Sequence, residues 1–501
     1  MNDHRKDATS RALVWSYIGT VARLITQFVI GVVFARLLNP HDFGVAAAGW
    51  MIVNLVSLIA DGGAAAYLIQ KDKVTAEDLG EAFSWQMLIG LTLAAIFLTF
   101  SGLYADAMGV SGAVDCLRVI SIVFFVQSVG VVPTALLKRT MDFKALHIIT
   151  VATYLIANVM VGLPLAMYGS GAWALVWAQV AQSLLYSVLV YFKSDKIMPI
   201  RPAAPRWVSG SFGLKVVADN SITWVLMNVD ALIIGKVIGP VALGIYNRSS
   251  ALIQPFGTAI VGGLQGVLYS SAAATHRETK NVGVNMLYAL SLVSLLCSPI
   301  VIFLASAASD LVQLVYGSKW SGVRELLPPM AFSMMAAALS STLGPVLLAK
   351  NMIAVQIRLN YIALPFLIAL VYLASQESVM TVAWVIAITS AVRFFLALKY
   401  TSRALSQSPF DALWYVFWGL GSTVPAGLVL YILQLGFYSL PLWVRVALDV
   451  CVFSLVQIGV WRISGGWLLD KLSSSGLPVK SLPGVIRKIF GIDLREGAGH
   501  A

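Results

Sequence analysis

The sequence predicts an all-α integral membrane protein of about fourteen transmembrane helices, laid out as two parallel six-helix repeats and two further helices. Three observations carry this. First, 59% of the 501 residues are hydrophobic and only 11% are charged, whereas a surface kept in water needs roughly 25% charge. Second, apolar runs of bilayer-crossing length recur from one end of the chain to the other. Third, Val33-Phe34-Ala35-Arg36-Leu37-Leu38-Asn39-Pro40-His41-Asp42-Phe43-Gly44-Val45 and Ile233-Ile234-Gly235-Lys236-Val237-Ile238-Gly239-Pro240-Val241-Ala242-Leu243-Gly244-Ile245, 200 positions apart, are variants of one another. Proline meets proline, glycine meets glycine, Arg36 meets Lys236, and each copy joins two long apolar runs.

Each crossing needs roughly 20 mostly apolar residues. Such runs lie at 12–37, 43–69, 81–103, 114–137, 144–168, 171–192, 211–238, 241–272, 283–307, 326–349, 352–374, 379–400, 411–434 and 440–462. The first exceeds the apolar stretch of a signal peptide and leads into a second span, so it is expected to stay in the membrane. Lys and Arg concentrate in short cytoplasmic loops. With the N-terminus inside, the inner segments hold Lys71, Lys73, Lys138, Arg139, Lys144, Lys193, Lys196, Arg201, Arg206 and the basic residues of both ends, whereas the outer segments hold Arg36, Lys236, Lys319 and Arg324. Both termini are therefore expected in the cytoplasm. The net charge of +11 is mostly a sidedness signal, and no nucleic-acid partner is expected.

Two further matches keep the register of the repeat. Pro133-Thr134-Ala135-Leu136-Leu137-Lys138 resembles Pro345-Val346-Leu347-Leu348-Ala349-Lys350, and Ala172-Trp173-Ala174-Leu175-Val176 resembles Ala383-Trp384-Val385-Ile386-Ala387, at offsets of 212 and 211. Six crossings separate the copies, an even number, so both halves enter from the same side. The layout is an N-terminal lobe over 1–192, a cytoplasmic linker over 193–210, a second lobe over 211–408, two additional helices over 409–462 and a cytoplasmic tail over 463–501. In the tail, Val485, Ile486, Ile489 and Phe490 share one helical face, which suits a helix lying on the inner leaflet.

A charge at the bilayer centre costs about 2.5–3.5 kcal/mol, so charges inside spans mark protein-facing or water-facing positions. Span 1 carries Ser16, Thr20, Arg23 and Gln27 on one face; span 2 carries Asn54, Ser57 and Asp61. In the equivalent spans of the second half lie Lys215, Asp219, Thr223 and Asp230, then Asn247, Arg248, Ser250, Gln254 and Thr258. A cavity between the halves would give these stripes a common wet wall. Arg23, Arg248 and Arg358 have no acid within a turn, leaving cationic capacity for an anion, and guanidinium geometry suits phosphate or pyrophosphate. Lys215 is a further candidate for that anion, although it stands four residues from Asp219, the spacing of a mutual ion pair. Arg445 and Asp449, likewise spaced but outside the repeat, read as a structural pair. Thr20, Gln27, Asn54, Asn247 and Gln254 read as polar lining. Pro164, Pro255, Pro299, Pro365 and Pro425 interrupt apolar runs, where proline bends a helix. A duplicated bundle with such a core points to transport.

Several segments also resemble one family. Ala35-Arg36-Leu37-Leu38-Asn39-Pro40-His41-Asp42-Phe43-Gly44, Lys138-Arg139-Thr140-Met141-Asp142-Phe143-Lys144, Gly171-Ala172-Trp173-Ala174-Leu175-Val176, Asp230-Ala231-Leu232-Ile233-Ile234-Gly235-Lys236 and Val315-Tyr316-Gly317-Ser318-Lys319-Trp320, then Leu326-Leu327-Pro328, follow the order seen in the bacterial polysaccharide transporter family. These are the Wzx-type flippases of the multidrug/oligosaccharidyl-lipid/polysaccharide exporter superfamily. The resemblance covers residues 11 to about 405 and implies fourteen helices around a V-shaped cavity that opens alternately to each side. It implies an undecaprenyl-pyrophosphate-linked oligosaccharide as substrate, carried from the cytoplasmic to the periplasmic leaflet of the inner membrane for exopolysaccharide, capsule or O-antigen synthesis. It further implies arginines that hold the pyrophosphate, for which Arg23 and Arg248 fit by span and depth. Coupling to H+ or Na+ through Asp61, Asp219 or Asp230 is implied too, and a polysaccharide polymerase and chain-length or export proteins are candidate partners.

Two other functions are weighed. A drug/cation antiporter of the same superfamily wants acidic and aromatic cavity residues, whereas bases predominate in these spans. A glycan polymerase or ligase wants a large outer loop with His, Arg or acids near the lipid phosphate; the longest outer loop, about 308–325, is short and has no His. No catalytic residue is expected. Cys116, Cys297 and Cys451 lie far apart inside apolar runs, so neither a disulfide framework nor a metal site is expected, and no cofactor beyond a coupling ion.

Overall fold

The computed structural model describes residues 2–61, 68–69, 71, 73–195, 203, 210–275, 282–349, 352–405, 408–436 and 440–474. Among them every regular element is helical. In chain order these are α1 (Asn2–Leu37), α2 (Pro40–Asp61), α3 (Ala76–Ala107), α4 (Val114–Arg139), α5 (Phe143–Ala157), α6 (Leu163–Met167), α7 (Ala172–Asp195), α8 (Gly210–Val237) and α9 (Pro240–Thr275). They continue with α10 (Val282–Ser306), α11 (Ala308–Val315), α12 (Ser321–Ala349), α13 (Ile353–Ser375), α14 (Val379–Ala404), α15 (Pro409–Gly421), α16 (Val424–Gly436) and α17 (Leu442–Ser474). The described residues of the expected spans fall on helices or consecutive pairs of helices. Among the described residues, eleven segments are long and apolar enough to cross a membrane, and the protein is a multi-span membrane protein. The amphipathic tail segment lies outside the described residues, as does most of the linker.

The chain divides into two compact units, 1–248 and 249–501. In the first, α4 is the central helix, packed by α2, α3 and α7. Without water between helices, association depends on close backbone approach and small residues. Gly90 of α3 faces Ser128, and Gly130 faces Ser187, whose hydroxyl donates to the Val126 carbonyl at 2.7 Å. At the end of α4, Arg139 donates to the carbonyls of Leu68, Ile69 and Lys71, closing the end of the second span onto α4. The following turn carries a capping box, Thr75 with Asp78, reinforced by Lys71 at 2.7 Å from Asp78. Ala203, from the expected linker, donates its backbone N–H to the Ser84 hydroxyl at 3.1 Å, so this part of the linker lies against α3.

Span 5 is interrupted. Between α5 and α6 the backbone makes one π turn, Asn158–Gly162. Pro164 has no N–H to offer the preceding turn, and a widened turn is one way a helix absorbs that loss. Asn158 fastens the turn by donating to the Tyr154 carbonyl at 2.8 Å, and Gly162 admits the Phe34 ring of α1 and Ala178 of α7.

In the second unit, α10 packs on α12 and α15, and α12 on α14. Of the two spans outside the repeat, the first is anchored by hydroxyls: Ser294 donates to the Val416 carbonyl and Ser298 to the Gly419 carbonyl, both at 2.8 Å, and Ser298 meets Thr423 at 2.9 Å. Span 13 is expected as one run; the structure breaks it between α15 and α16, with Thr423 and Ser422 turning back onto the Gly419 carbonyl. The Val315–Trp320 segment forms a tight corner. Gly317 adopts a positive φ of 91°, and Trp320 is fully buried against Tyr316.

Candidate functional site

The first unit contains both copies of the repeated turn, and they lie against each other. A methyl group placed on Gly44 would sit 1.8 Å from the Pro240 carbonyl oxygen, and one on Gly244 would sit 1.9 Å from that of Pro40. The contact is reciprocal, as a two-fold related pair of turns would make it. The glycines are required because nothing larger fits. Beside them Lys236 donates to the Asp106 carbonyl at 2.8 Å, and Gly109, at a φ of 66°, admits the Gly235 carbonyl.

One turn along α9 beyond Gly244 stands Arg248. It is 9% exposed, its guanidinium lies 4.3 Å over the ring of Phe43, and it donates to the Asn247 side chain at 3.1 Å. Phe43 is itself fully buried beside Gly44, so the repeated turn builds the platform under the cation. Such stacking contributes about 0.5–2 kcal/mol. Tyr154, one turn before the π turn, is within electrostatic reach of the same guanidinium. On the other side Nη1 stands 3.1 Å from where a Gly31 methyl would be.

Gly31 connects Arg248 to the polar stripe of α1. Arg23, Gln27 and Gly31 are spaced by four and share one helix face. At 1.5 Å per residue Arg23 and Gly31 are about 12 Å apart along the axis. Arg23 and Gln27 are exposed, Thr20 is half-buried with its hydroxyl on the Ser16 carbonyl, and Gly19 packs directly on His147 of α5. The structure thus sets Arg248 beside Gly31, on the α1 face that also carries Arg23 and Gln27. Asn247 is half-buried beside Arg248, while Asn54, Gln254 and Arg358 are exposed on their own helices.

Asp230 of α8 accepts a short hydrogen bond from Tyr246 of α9 and a 2.8 Å bond from the Ala231 N–H. The side chains of Asp61, Lys215 and Asp219 lie outside the described residues. Arg445, which faces Asp449 within electrostatic reach, also pairs with Asp310 of α11 at 3.2 Å, and Asp449 accepts from Gln434 at 3.0 Å. Helical spacing puts Arg445 and Asp449 on one face but is blind to the acid that another helix brings there. Phe43, Gly31, Tyr154 and Tyr246 are also partners that spacing alone does not reveal. The Phe-Gly of the repeated turn was the available signal for the first.

A family model described as polysaccharide biosynthesis protein matches residues 33–325. The chain belongs to that family. This agrees with the resemblance of the sequence motifs. Among relatives of the polysaccharide biosynthesis family, the chain is 22% identical to the lipopolysaccharide biosynthesis protein WzxC of Escherichia coli K12, over 71% of this chain and 73% of that protein. It is 23% identical to the succinoglycan biosynthesis transport protein ExoT of Rhizobium meliloti, over 65% and 66%, and 23% identical to the teichuronic acid biosynthesis protein TuaB of Bacillus subtilis, over 76% and 80%. Its fold is similar to that of the lipid II flippase MurJ in an inward closed conformation, with a TM-score of 0.70 at 14% identity over 90% of this chain and 99% of that one. It is also similar to an inward-facing multidrug resistance transporter of the MOP superfamily, with a TM-score of 0.56 at 13% identity over 79% and 98%.

Proposed function

We propose that this family member is a flippase: it carries a lipid-linked oligosaccharide repeat unit, joined to undecaprenyl through pyrophosphate, across the inner membrane by alternating access. The observation that carries the proposal is the cationic path of the first unit. The α1 face of Arg23, Gln27 and Gly31 leads to the Arg248 guanidinium, held over Phe43. A guanidinium built into a membrane protein is costly unless it faces protein or a polar ligand, and its planar fork matches phosphate oxygens. Arg23 and Arg248 offer two stations for an anionic headgroup, about two helical turns apart. The relatives named for polysaccharide synthesis and transport and the flippase fold support the same reading.

The process moves a molecule and makes or breaks no covalent bond, so no catalytic residue is assigned. Coupling to H+ or Na+ is assigned to Asp230, whose hydrogen bond with Tyr246 ties α8 to α9. In this reading both termini and the basic loops lie on the cytoplasmic side, which their Lys and Arg content supports.

The test is the double variant Arg23→Ala, Arg248→Ala in the native host. Surface glycan is expected to disappear, with lipid-linked repeat units accumulating on the cytoplasmic leaflet and protein levels in the membrane unchanged. Normal glycan with both arginines gone overturns the assignment of the path; unpolymerised units on the outer leaflet overturn the flippase reading itself.

A further inference from the structure

The second unit holds a largely apolar cavity with a cluster of polar side chains that the transport path does not use. Its volume is about 250 Å³, and it is walled by Ser309 and Asp310 of α11, Gln434 of α16, and Arg445 and Asp449 of α17. Leu448 and Val452 supply an apolar patch. The polar walls hold each other in place. Arg445 bridges α17 to α11 through Asp310, and Gln434 bridges α16 to α17 through Asp449, which is 5% exposed.

We propose that this cavity binds one sugar ring, neutral or amino-substituted, of a glycan. Three features select that class. The space, about 250 Å³, is too large for a bare ion and can hold a single ring. The wall mixes carboxylate acceptors, guanidinium donors and an amide that does both, which matches hydroxyls that donate and accept. An ionised carboxylate offers about four acceptor positions, more than the bonds that Arg445 donates to Asp310 and Gln434 donates to Asp449 take up. The guanidinium in the same wall disfavours a metal cation, and two carboxylates against one guanidinium leave a net negative wall that disfavours an acidic sugar. The apolar patch faces the C–H side of a ring. On the proposed topology Asp310, Gln434 and Arg445 all belong to the outer ends of their helices, where a flipped glycan would arrive; that placement rests on the flippase reading, whereas binding itself does not.

The experiment uses the full chain in lipid nanodiscs and saturation-transfer NMR with methyl glucoside, methyl glucosaminide and methyl glucuronide as probes. The first two are expected to bind and the third to bind more weakly. Asp449→Asn is expected to weaken binding about tenfold, the factor for one charge-assisted hydrogen bond, and Ser309→Phe to abolish it by filling the cavity with a ring. Unchanged thermal unfolding shows that each variant is folded. Equal binding by wild type and both folded variants, absence of binding by any probe, or preference for the glucuronide overturns the proposal. Loss of binding with glycan flipping intact removes only a role in transport, whereas binding retained in a protein that does not flip lipid-linked units removes the flippase reading alone.

Discussion

At the scale of single residues, Arg248 is defined by what surrounds it. Its neighbours are a buried ring, a side-chain amide and a glycine with no side chain to obstruct it. Arg248→Lys keeps the charge but loses the flat cation that lies on Phe43 and the fork that grips two oxygens. Glycan export is expected to fall about tenfold or more, the effect of about 1.4 kcal/mol or greater, with the variant stably inserted; an export assay with the protein quantified in membranes decides it, and wild-type export by the lysine variant would show that charge alone suffices. Intramembrane charge was readable from the sequence because few residues of that kind occur in apolar runs. The ring beneath it was not readable, because Phe43 and Arg248 are 205 positions apart and meet only once two helices cross. The same limit applies to Arg445, for which local spacing proposed Asp449 and tertiary packing adds Asp310.

At the scale of elements, the repeated turn shows how far pattern reaches. The Pro-x-x-x-Gly spacing was legible as a link between helices, and the register of the repeat followed from it. The physical reason for the glycines was not, since it lies in the carbonyl of the other copy. Gly44→Ala or Gly244→Ala forces a methyl group into space already held by backbone, and each is expected to destabilise the fold by about 1–3 kcal/mol, the usual cost of overpacking. The double variant should cost less than the two singles added together, because the first methyl already pushes the turns apart for the second. Thermal unfolding of the purified variants in one detergent measures this; strict additivity would mean that the two glycines act independently. Span boundaries were legible from hydropathy to within several residues, while the π turn of span 5 and the break between α15 and α16 were not, because hydropathy does not register how a backbone closes its hydrogen bonds.

At the scale of the whole molecule, the asymmetric placement of Lys and Arg makes a claim about sidedness that can be checked directly. In a background with Cys116, Cys297 and Cys451 replaced, Lys319→Cys is expected to react with an impermeant maleimide applied to spheroplasts. Lys138→Cys should react only after permeabilisation. The reverse pattern would invert the topology and place the exposed guanidinium of Arg23 on the path from the other compartment. Both lysines are exposed, so neither result would be masked by packing.

A surface whose glycine fits beneath its own counterpart's carbonyl is self-complementary. A protein of half this length, with a single Pro-x-x-x-Gly corner, would have met an identical molecule through it, and joining two such genes end to end would have preserved the union. Descendants of that fusion are then free to diverge where the corners face outward, as His41 and Val241 do, but must keep a bare backbone at Gly44 and Gly244, where they touch.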